Sequence, residues 1–265
     1  MKIGIVGLGL VGSAVRYGLE KLGHEILVHD VKLSTSIDDV CMAEVIFICV
    51  PTPSLDSGEC DTSIVNNIVS ELNRCSFNGL VSIKSTVIPG TTTRLIKKYP
   101  DLRICFVPEF LRERCAEVDF VENHDVCIIG TQNNSNYNLI KEAHGSLPKK
   151  FIQVTETEAE LSKYFNNVYN ATLITFANNF YELCQEIGAD YTAVKNAIAN
   201  RSHISDSYLD CNKNFRGFGG VCLPKDTNAL RFLSKALDAS GSLFETLVED
   251  NKKYKTTVYD NMRES

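Results

Sequence analysis

The run Gly7-Leu8-Gly9-Leu10-Val11-Gly12 constrains this chain more than any other segment. It follows the apolar stretch Ile3–Val6 and precedes a helix-like stretch from Val11 to Leu22. Glycines at this spacing between a strand and a helix permit a tight turn, and they let the backbone approach whatever lies at the helix N-terminus. The same alternation continues downstream. Glu25–His29, Val45–Val50, Leu80–Ser85, Arg103–Val107 and Val126–Gly130 are further short β-branched runs, nearly continuous in apolar character. Strands buried on both faces of a parallel sheet read this way. Helices are expected at Thr62–Leu72 and Thr91–Tyr99, the last stopped by Pro100. Six strands with crossovers imply an α/β domain with a doubly wound parallel sheet.

The second half has a different period. From about Thr157 to Ile187 the residues Leu161, Phe165, Val168, Thr172, Phe176, Phe180, Leu183 and Ile187 recur at helical spacing. That is one helix of roughly eight turns, ended by Gly188, which suits the position just past a helix. Shorter helices are expected at Thr192–Ala199, Pro224–Leu237 and Ser242–Met262. The chain therefore divides, on this reading, into a Rossmann-type domain over 1–153 and an all-helical domain with one long helix over 154–265. No internal repeat or low-complexity segment interrupts either half.

Composition excludes several function classes. Lys and Arg number 27 against 33 Asp and Glu, a net charge of −6, which makes nucleic acid a poor partner. No apolar stretch approaches a membrane span, and no secretory core with a cleavage site opens the chain, so a soluble cytoplasmic protein is expected. The ten cysteines are scattered singly, without C-x-x-C or metal spacing. Several sit in strand-like runs such as Phe47-Ile48-Cys49-Val50. Reduced, buried thiols are expected rather than disulfides, and no metal.

The glycine turn acquires meaning from its surroundings. A pyrophosphate can sit on the positive end of the helix that the turn opens. About twenty residues on, the second strand ends in Val28-His29-Asp30. A carboxylate there accepts hydrogen bonds from ribose hydroxyls and repels a 2′-phosphate, favouring NAD over NADP. FAD bound by the same motif, or an ordinary tight turn, are the competing readings.

The densest signal is Gly217-Phe218-Gly219-Gly220-Val221-Cys222-Leu223-Pro224-Lys225-Asp226. Pro224 suits a first helical turn, which puts Cys222 just ahead of a helix N-terminus, where the dipole stabilises a thiolate. Lys225 adds to the effect, and Asp226 is expected in the first turn. A buried cysteine in a glycine loop is the bland alternative. Lys163 and Asn167 share one face of the long helix, opposite the stripe of Phe165, Val168 and Thr172; such pairs are usually solvated surface. Glu109 and Glu113 follow one strand's carboxyl end and Thr86 follows another's, where ligands bind in such sheets.

Together these segments resemble the UDP-glucose/GDP-mannose dehydrogenase family, from Met1 to about Asn251. The resemblance runs in order through the glycine turn, Val50-Pro51-Thr52-Pro53, Lys84-Ser85-Thr86, Pro108–Glu113, Glu158–Tyr164 and Gly217–Asp226. It implies NAD-dependent four-electron oxidation of a nucleotide-sugar primary alcohol, UDP-glucose-like, to the uronic acid. Cys222 would attack the aldehyde from the first oxidation, and the second would leave a thioester for water to hydrolyse. Lys163 and Asn167 would hold the oxyanion, Asp226 and Thr86 would position water and move protons, and Glu109 or Glu113 would act as base or orient the sugar. NAD would contact Gly7, Gly9, Leu10, Val11, Gly12, Asp30, Val50, Pro51, Thr52, Thr86 and Glu113. The sugar would contact Phe110, Leu111, Arg112, Lys163, Asn167, Tyr208, Phe218 and Gly219. The resemblance also implies a homodimer through the long helix.

The sequence departs from the family in four places. The stretch between Asp30 and Val45 is short, His203-Ile204-Ser205 stands for Arg-Ile-Gly, and the arginine that usually opens the strand at Val126 is absent. The fourth is the end at Ser265, where the family continues into a C-terminal domain, so a short form is expected. An NAD-binding regulatory remnant without turnover and a two-electron hydroxyacid dehydrogenase are the competing functions.

Overall fold

The computed structural model describes residues 1–239 and 241–254. In chain order the elements are β1 (Lys2–Val6), α1 (Leu10–Lys21), β2 (Glu25–His29), β3 (Val45–Ile48), α2 (Ser63–Arg74), β4 (Leu80–Ile83), α3 (Thr91–Lys98) and β5 (Arg103–Phe106). They continue with α4 (Ala116–Val121), β6 (Cys127–Gly130), α5 (Asn134–His144), β7 (Phe151–Val154) and α6 (Glu156–Ile187). Three helices complete the order: α7 (Tyr191–Ile198), α8 (Cys222–Ala236) and α9 (Leu243–Asn251).

The seven strands form one sheet in the order β2-β1-β3-β4-β5-β6-β7. All neighbours pair parallel except β5 and β6, which meet antiparallel at Phe106 and Gly130. The sheet is thus doubly wound as expected, with one antiparallel junction that apolar runs alone do not disclose. Alternate residues feed two cores. Ile3, Ile5, Val45, Phe47, Leu80, Cys105 and Val107 pack on one face; Val6, Ile46, Ile48, Val81, Ile83, Ile104 and Phe106 pack on the other. Period-two alternation between two buried faces explains why these strands carry almost no polar residue.

The sequence pattern does not disclose β7, α4 or α5. β7 is a half-exposed edge strand of four residues containing Gln153, too short and polar to register as a buried run. α5 opens in the polar stretch Asn133–Asn136, where the Asn133 side chain accepts from the Ser135 and Asn136 N–H groups. That stretch is a helix cap rather than a loop. The expected helix Ser242–Met262 ends at Asn251, and residues 255–262 lie outside the described ones.

The chain forms two compact units, residues 1–53 with 60–163, and residues 54–59 with 164–265. The division falls inside α6. In the first unit, buried Glu160 accepts from Gly90 N–H at 2.5 Å and Thr92 N–H at 2.7 Å, and so caps α3, whose own N-cap residue is a glycine. In the second, Ala177, Cys184, Tyr191, Leu209 and Cys211 make a small core. Of the stripe read from the sequence, only Val168 is buried; Leu161, Phe165, Phe176, Phe180, Leu183 and Ile187 are exposed. Six of the ten cysteines are buried, none is in a disulfide, and Cys222 is exposed. No helix among the described residues is long and apolar enough to cross a membrane.

Candidate active site

The glycine turn lies where the strand order reverses, between β1 and β3. Gly7 adopts φ +92°, and a Cβ there would meet the Cys49 carbonyl at 2.9 Å. A Cβ on Gly12 would fall 1.9 Å from the Gly7 carbonyl; both positions require glycine. Gly9 differs, since a Cβ on it would meet nothing within 4 Å. It is the N-cap of α1 and offers no side chain to the first-turn N–H groups. Asp30 reaches this turn, its carboxylate accepting from Leu8 N–H at 2.6 Å and Lys32 N–H at 2.8 Å. Those backbone bonds, that from Leu8 foremost, hold its carboxyl below the usual range.

A cleft of about 450 Å³ opens beside the turn, lined by Gly9, Leu10, Ser13 and Glu113 among others. Open space above Gly9, an uncapped helix N-terminus and an ionised carboxylate at the end of β2 fit a dinucleotide. Val11 lies in the first turn of α1. Past β3, the Ser85 hydroxyl donates to the Val50 carbonyl at 2.7 Å. The Cys60 thiol bridges the carbonyls of Thr52 (3.9 Å) and Thr86 (3.5 Å), while Pro51 is exposed. Cys60 thus ties two of the expected cofactor segments together.

The loop after β5 is built around Glu109. Its carboxylate accepts from Lys163 Nζ at 2.8 Å and from Leu111 N–H at 2.8 Å. Lys163 Nζ also donates to the Glu109 carbonyl at 2.8 Å and lies 5.9 Å from the Phe110 ring centroid. Burial alone would push the Glu109 carboxyl up; the Lys163 ammonium outweighs it and holds the group below its ordinary value. The Arg112 guanidinium is pinned by Asp119, with bonds of 2.9 and 2.6 Å. Asp119 is invisible to sequence reading because a lone carboxylate in a short helix carries no pattern.

In the second unit, Cys222 is the first residue of α8, not the residue ahead of it, and Val221 is the N-cap. Asp226 accordingly begins the second turn rather than lying in the first. Asp226 is fully buried. One oxygen accepts from Lys225 Nζ at 2.6 Å and the other from Asn167 Nδ2 at 2.6 Å. Lys163 and Asn167, a pair of the kind usually found on solvated surface, are 4% and 5% exposed. A cleft of about 400 Å³ is lined by Phe218, Gly219, Gly220, Asn228 and Arg231 among others. Tyr208, half-exposed at φ +64°, lies outside that cleft.

One further group, Asp38, Cys41 and Cys75, brings three potential metal ligands within 4.8 Å of one another. The Cys75 thiol donates to Asp38 at 3.0 Å, and that bond accounts for the arrangement.

Residues 31–147 match the NAD-binding domain of the UDP-glucose/GDP-mannose dehydrogenase family, and residues 157–253 match its central domain. The chain belongs to this family. Its cofactor is NAD. UDP-glucose 6-dehydrogenase AglM of Haloferax volcanii is 27% identical over 100% of this chain and 72% of its own length. UDP-glucose 6-dehydrogenase of Rickettsia bellii is 31% identical over 92% of this chain, which covers 58% of the relative. A UDP-glucose dehydrogenase structure from Pyrobaculum islandicum superposes with a TM-score of 0.87 at 26% identity, covering 95% of this chain and 68% of that one. The chain thus spans between about half and three quarters of the length of these family members.

Proposed function

We propose that the chain oxidises the primary alcohol of a nucleotide sugar of the UDP-glucose kind to the carboxylate, with Cys222 as the covalent nucleophile. The observation that carries this reading is the placement of Cys222, an exposed thiol on the first residue of a fifteen-residue helix. There the helix N–H groups favour the thiolate. NAD, when bound, accepts a hydride in each of the two oxidations.

The remaining steps belong to this chain's own residues. The thiolate sulfur adds to the aldehyde carbon from the first oxidation, and the carbonyl oxygen takes a proton to give a thiohemiacetal. Loss of a second hydride and of that proton leaves a thioester. Water then adds, the carbon–sulfur bond breaks, and the carboxylate leaves with Cys222 restored. Asp226 is the acid/base group for the water, oriented by Asn167 and Lys225. Lys163 stabilises the oxyanion. Glu109, held as an anion by hydrogen bonds from Lys163 and the Leu111 N–H, orients Lys163 and the sugar rather than taking a proton. Phe218 and Gly219 bound the sugar's cleft.

The exposed face of α6 supports a homodimer. Phe165 stacks on Tyr169 with centroids 6.4 Å apart, and Phe176 lies 4.7 Å from Phe180. These side chains, with Leu183 and Ile187, form an apolar stripe suited to isologous pairing. Sedimentation at micromolar concentration is expected to show a concentration-dependent dimer; a single 29.5 kDa species at all concentrations contradicts it.

A panel of nucleotide sugars tested for NADH formation checks the function. Two NADH per sugar consumed supports the four-electron reaction. One NADH indicates a two-electron alcohol dehydrogenase, and none indicates a binding remnant.

A further inference from the structure

The Cys222 loop has an unusual support. Asn251, the last residue of α9, accepts the Phe218 N–H on Oδ1 at 2.7 Å and donates from Nδ2 to the Phe218 carbonyl at 2.8 Å. One side-chain amide thereby pairs with both backbone groups of a single residue, as a neighbouring β-strand would. A primary amide, as in Asn or Gln, carries donor and acceptor on separate atoms of one planar group, which suits it to this pairing.

The preceding residues are held from α6. Asn178, 1% exposed, accepts on Oδ1 from the Gly217 N–H at 3.2 Å and from Arg216 Nε at 2.7 Å. Its own amide nitrogen donates to the Ile174 carbonyl at 2.7 Å, which fixes the orientation of the group. The Arg216 guanidinium also pairs with Glu182 and packs over the rings of Tyr181 (4.8 Å) and Tyr254 (4.4 Å). Residues 216–218 are thus fixed from two helices.

The loop between Phe218 and the helix start depends on that anchor. Gly217 and Gly220 both adopt positive φ, 65° and 75°, and glycine backbone has more freedom to lose than any other. The N-cap of α8 is Val221, which makes no side-chain capping bond. Only Gly219, Gly220 and Val221 separate the fixed Phe218 from the thiol at Cys222, and none of their side chains caps the helix.

We infer that Asn251 is a positioning residue: its amide clamp on the Phe218 backbone sets where α8 begins and therefore where the Cys222 sulfur is held. The inference rests on the reading of Cys222 as nucleophile, and its test includes one readout that does not depend on turnover. The clamp fixes the backbone of Phe218, which bounds the sugar's cleft, and through it the start of α8, so its loss acts on substrate affinity as well as on the chemical step; a displacement on the order of 1 Å at a reacting group costs about 10²-fold in rate.

The experiment compares the full chain with Asn251→Ala and Asn251→Asp. NAD affinity reports that the first unit is folded, and the thermal midpoint reports the whole. Steady-state NADH formation gives kcat and KM, and peptide mass spectrometry gives the rate of Cys222 alkylation by iodoacetamide at neutral pH. Asn251→Ala is expected to lower kcat about 10–100-fold, a larger effect than any accompanying rise in KM. It is also expected to slow Cys222 alkylation about fivefold or more, because the first-turn N–H groups no longer face the thiolate. Asn251→Asp keeps the acceptor for the Phe218 N–H and loses the donor, so both effects are expected to be intermediate. Wild-type kcat and wild-type alkylation in Asn251→Ala overturn the inference. So does a lowered midpoint with both rates unchanged per folded molecule, which makes the clamp structural only. If the wild type turns over no nucleotide sugar, the proposed function fails, and the alkylation rates still decide the clamp.

Discussion

Asn167 Nδ2 donates to Asp226 Oδ2 across 2.6 Å, joining the amide of α6 to a fully buried carboxylate in the second turn of α8. With Lys225 on the other oxygen, the carboxylate has its charge compensated and both oxygens engaged. A buried acid left without these partners would be expensive.

Removing the acid tests its role. Asp226→Asn is expected to lower acid formation by about 10² or more, the range of a lost general acid or base, with NAD affinity retained. Lys225→Ala leaves the carboxylate buried with only the amide. It is expected to destabilise the chain by about 3 kcal/mol, the lower range for breaking a buried pair, read from urea unfolding. Wild-type turnover in Asp226→Asn removes the residue from the chemistry.

Asp30 holds the Leu8 N–H of the glycine turn, so if its carboxylate also receives the ribose hydroxyls, as the proposed function requires, cofactor choice and the shape of the turn are coupled. Asp30→Ala is expected to weaken NAD binding by about 10-fold or more, through loss of a charge-assisted hydrogen bond and of the turn's anchor. Adding an arginine nearby is expected to raise NADP use. A native preference for NADP, measured as the ratio of kcat/KM values, contradicts the account.

Glu109 sets an acid limb. Its folded carboxyl lies below the ordinary 4.5 because Lys163 outweighs burial. A group depressed on folding contributes stability that is fully present above its unfolded value and is lost as pH falls through the folded one. Thermal unfolding is therefore expected to hold the full Glu109 contribution above the ordinary carboxylate range and to lose it progressively as the pH falls below that range. Glu109→Gln is expected to flatten that acid limb and to lower the midpoint at neutral pH, since Lys163 is left buried without its counter-charge. A parallel acid limb in wild type and Glu109→Gln contradicts the pairing.

Much of this architecture was legible in the chain. The strands on both sides of the glycine turn are apolar because two cores take alternate residues, and that leaves a continuous β-branched signal. The long helix was legible from its stripe, yet most of the stripe is exposed, since periodicity reveals a face and not what covers it. β7 and α5 were hidden because an edge strand with Gln153 and a helix opening on asparagines both read as loop. At the site, Cys222, Asp226, Lys163 and Asn167 came from the resemblance and the helix dipole together. Asn178, Asn251 and Asp119 did not. Asn178 and Asn251 act on groups brought close only by the fold, and a single amide or carboxylate in a helix has no periodic signature.

Cys222→Ser addresses the central claim most directly. The variant keeps the loop, the clamp and the cofactor unit but replaces the thiolate with a poor nucleophile, so acid formation is expected to fall by about three orders of magnitude or more. NAD affinity and the thermal midpoint are expected to remain those of the wild type. The decisive quantity is uronic acid formed per NADH in wild type and variant. One acid for every two NADH in the wild type, with no acid from Cys222→Ser, is the predicted result; full acid formation by the serine variant contradicts the account.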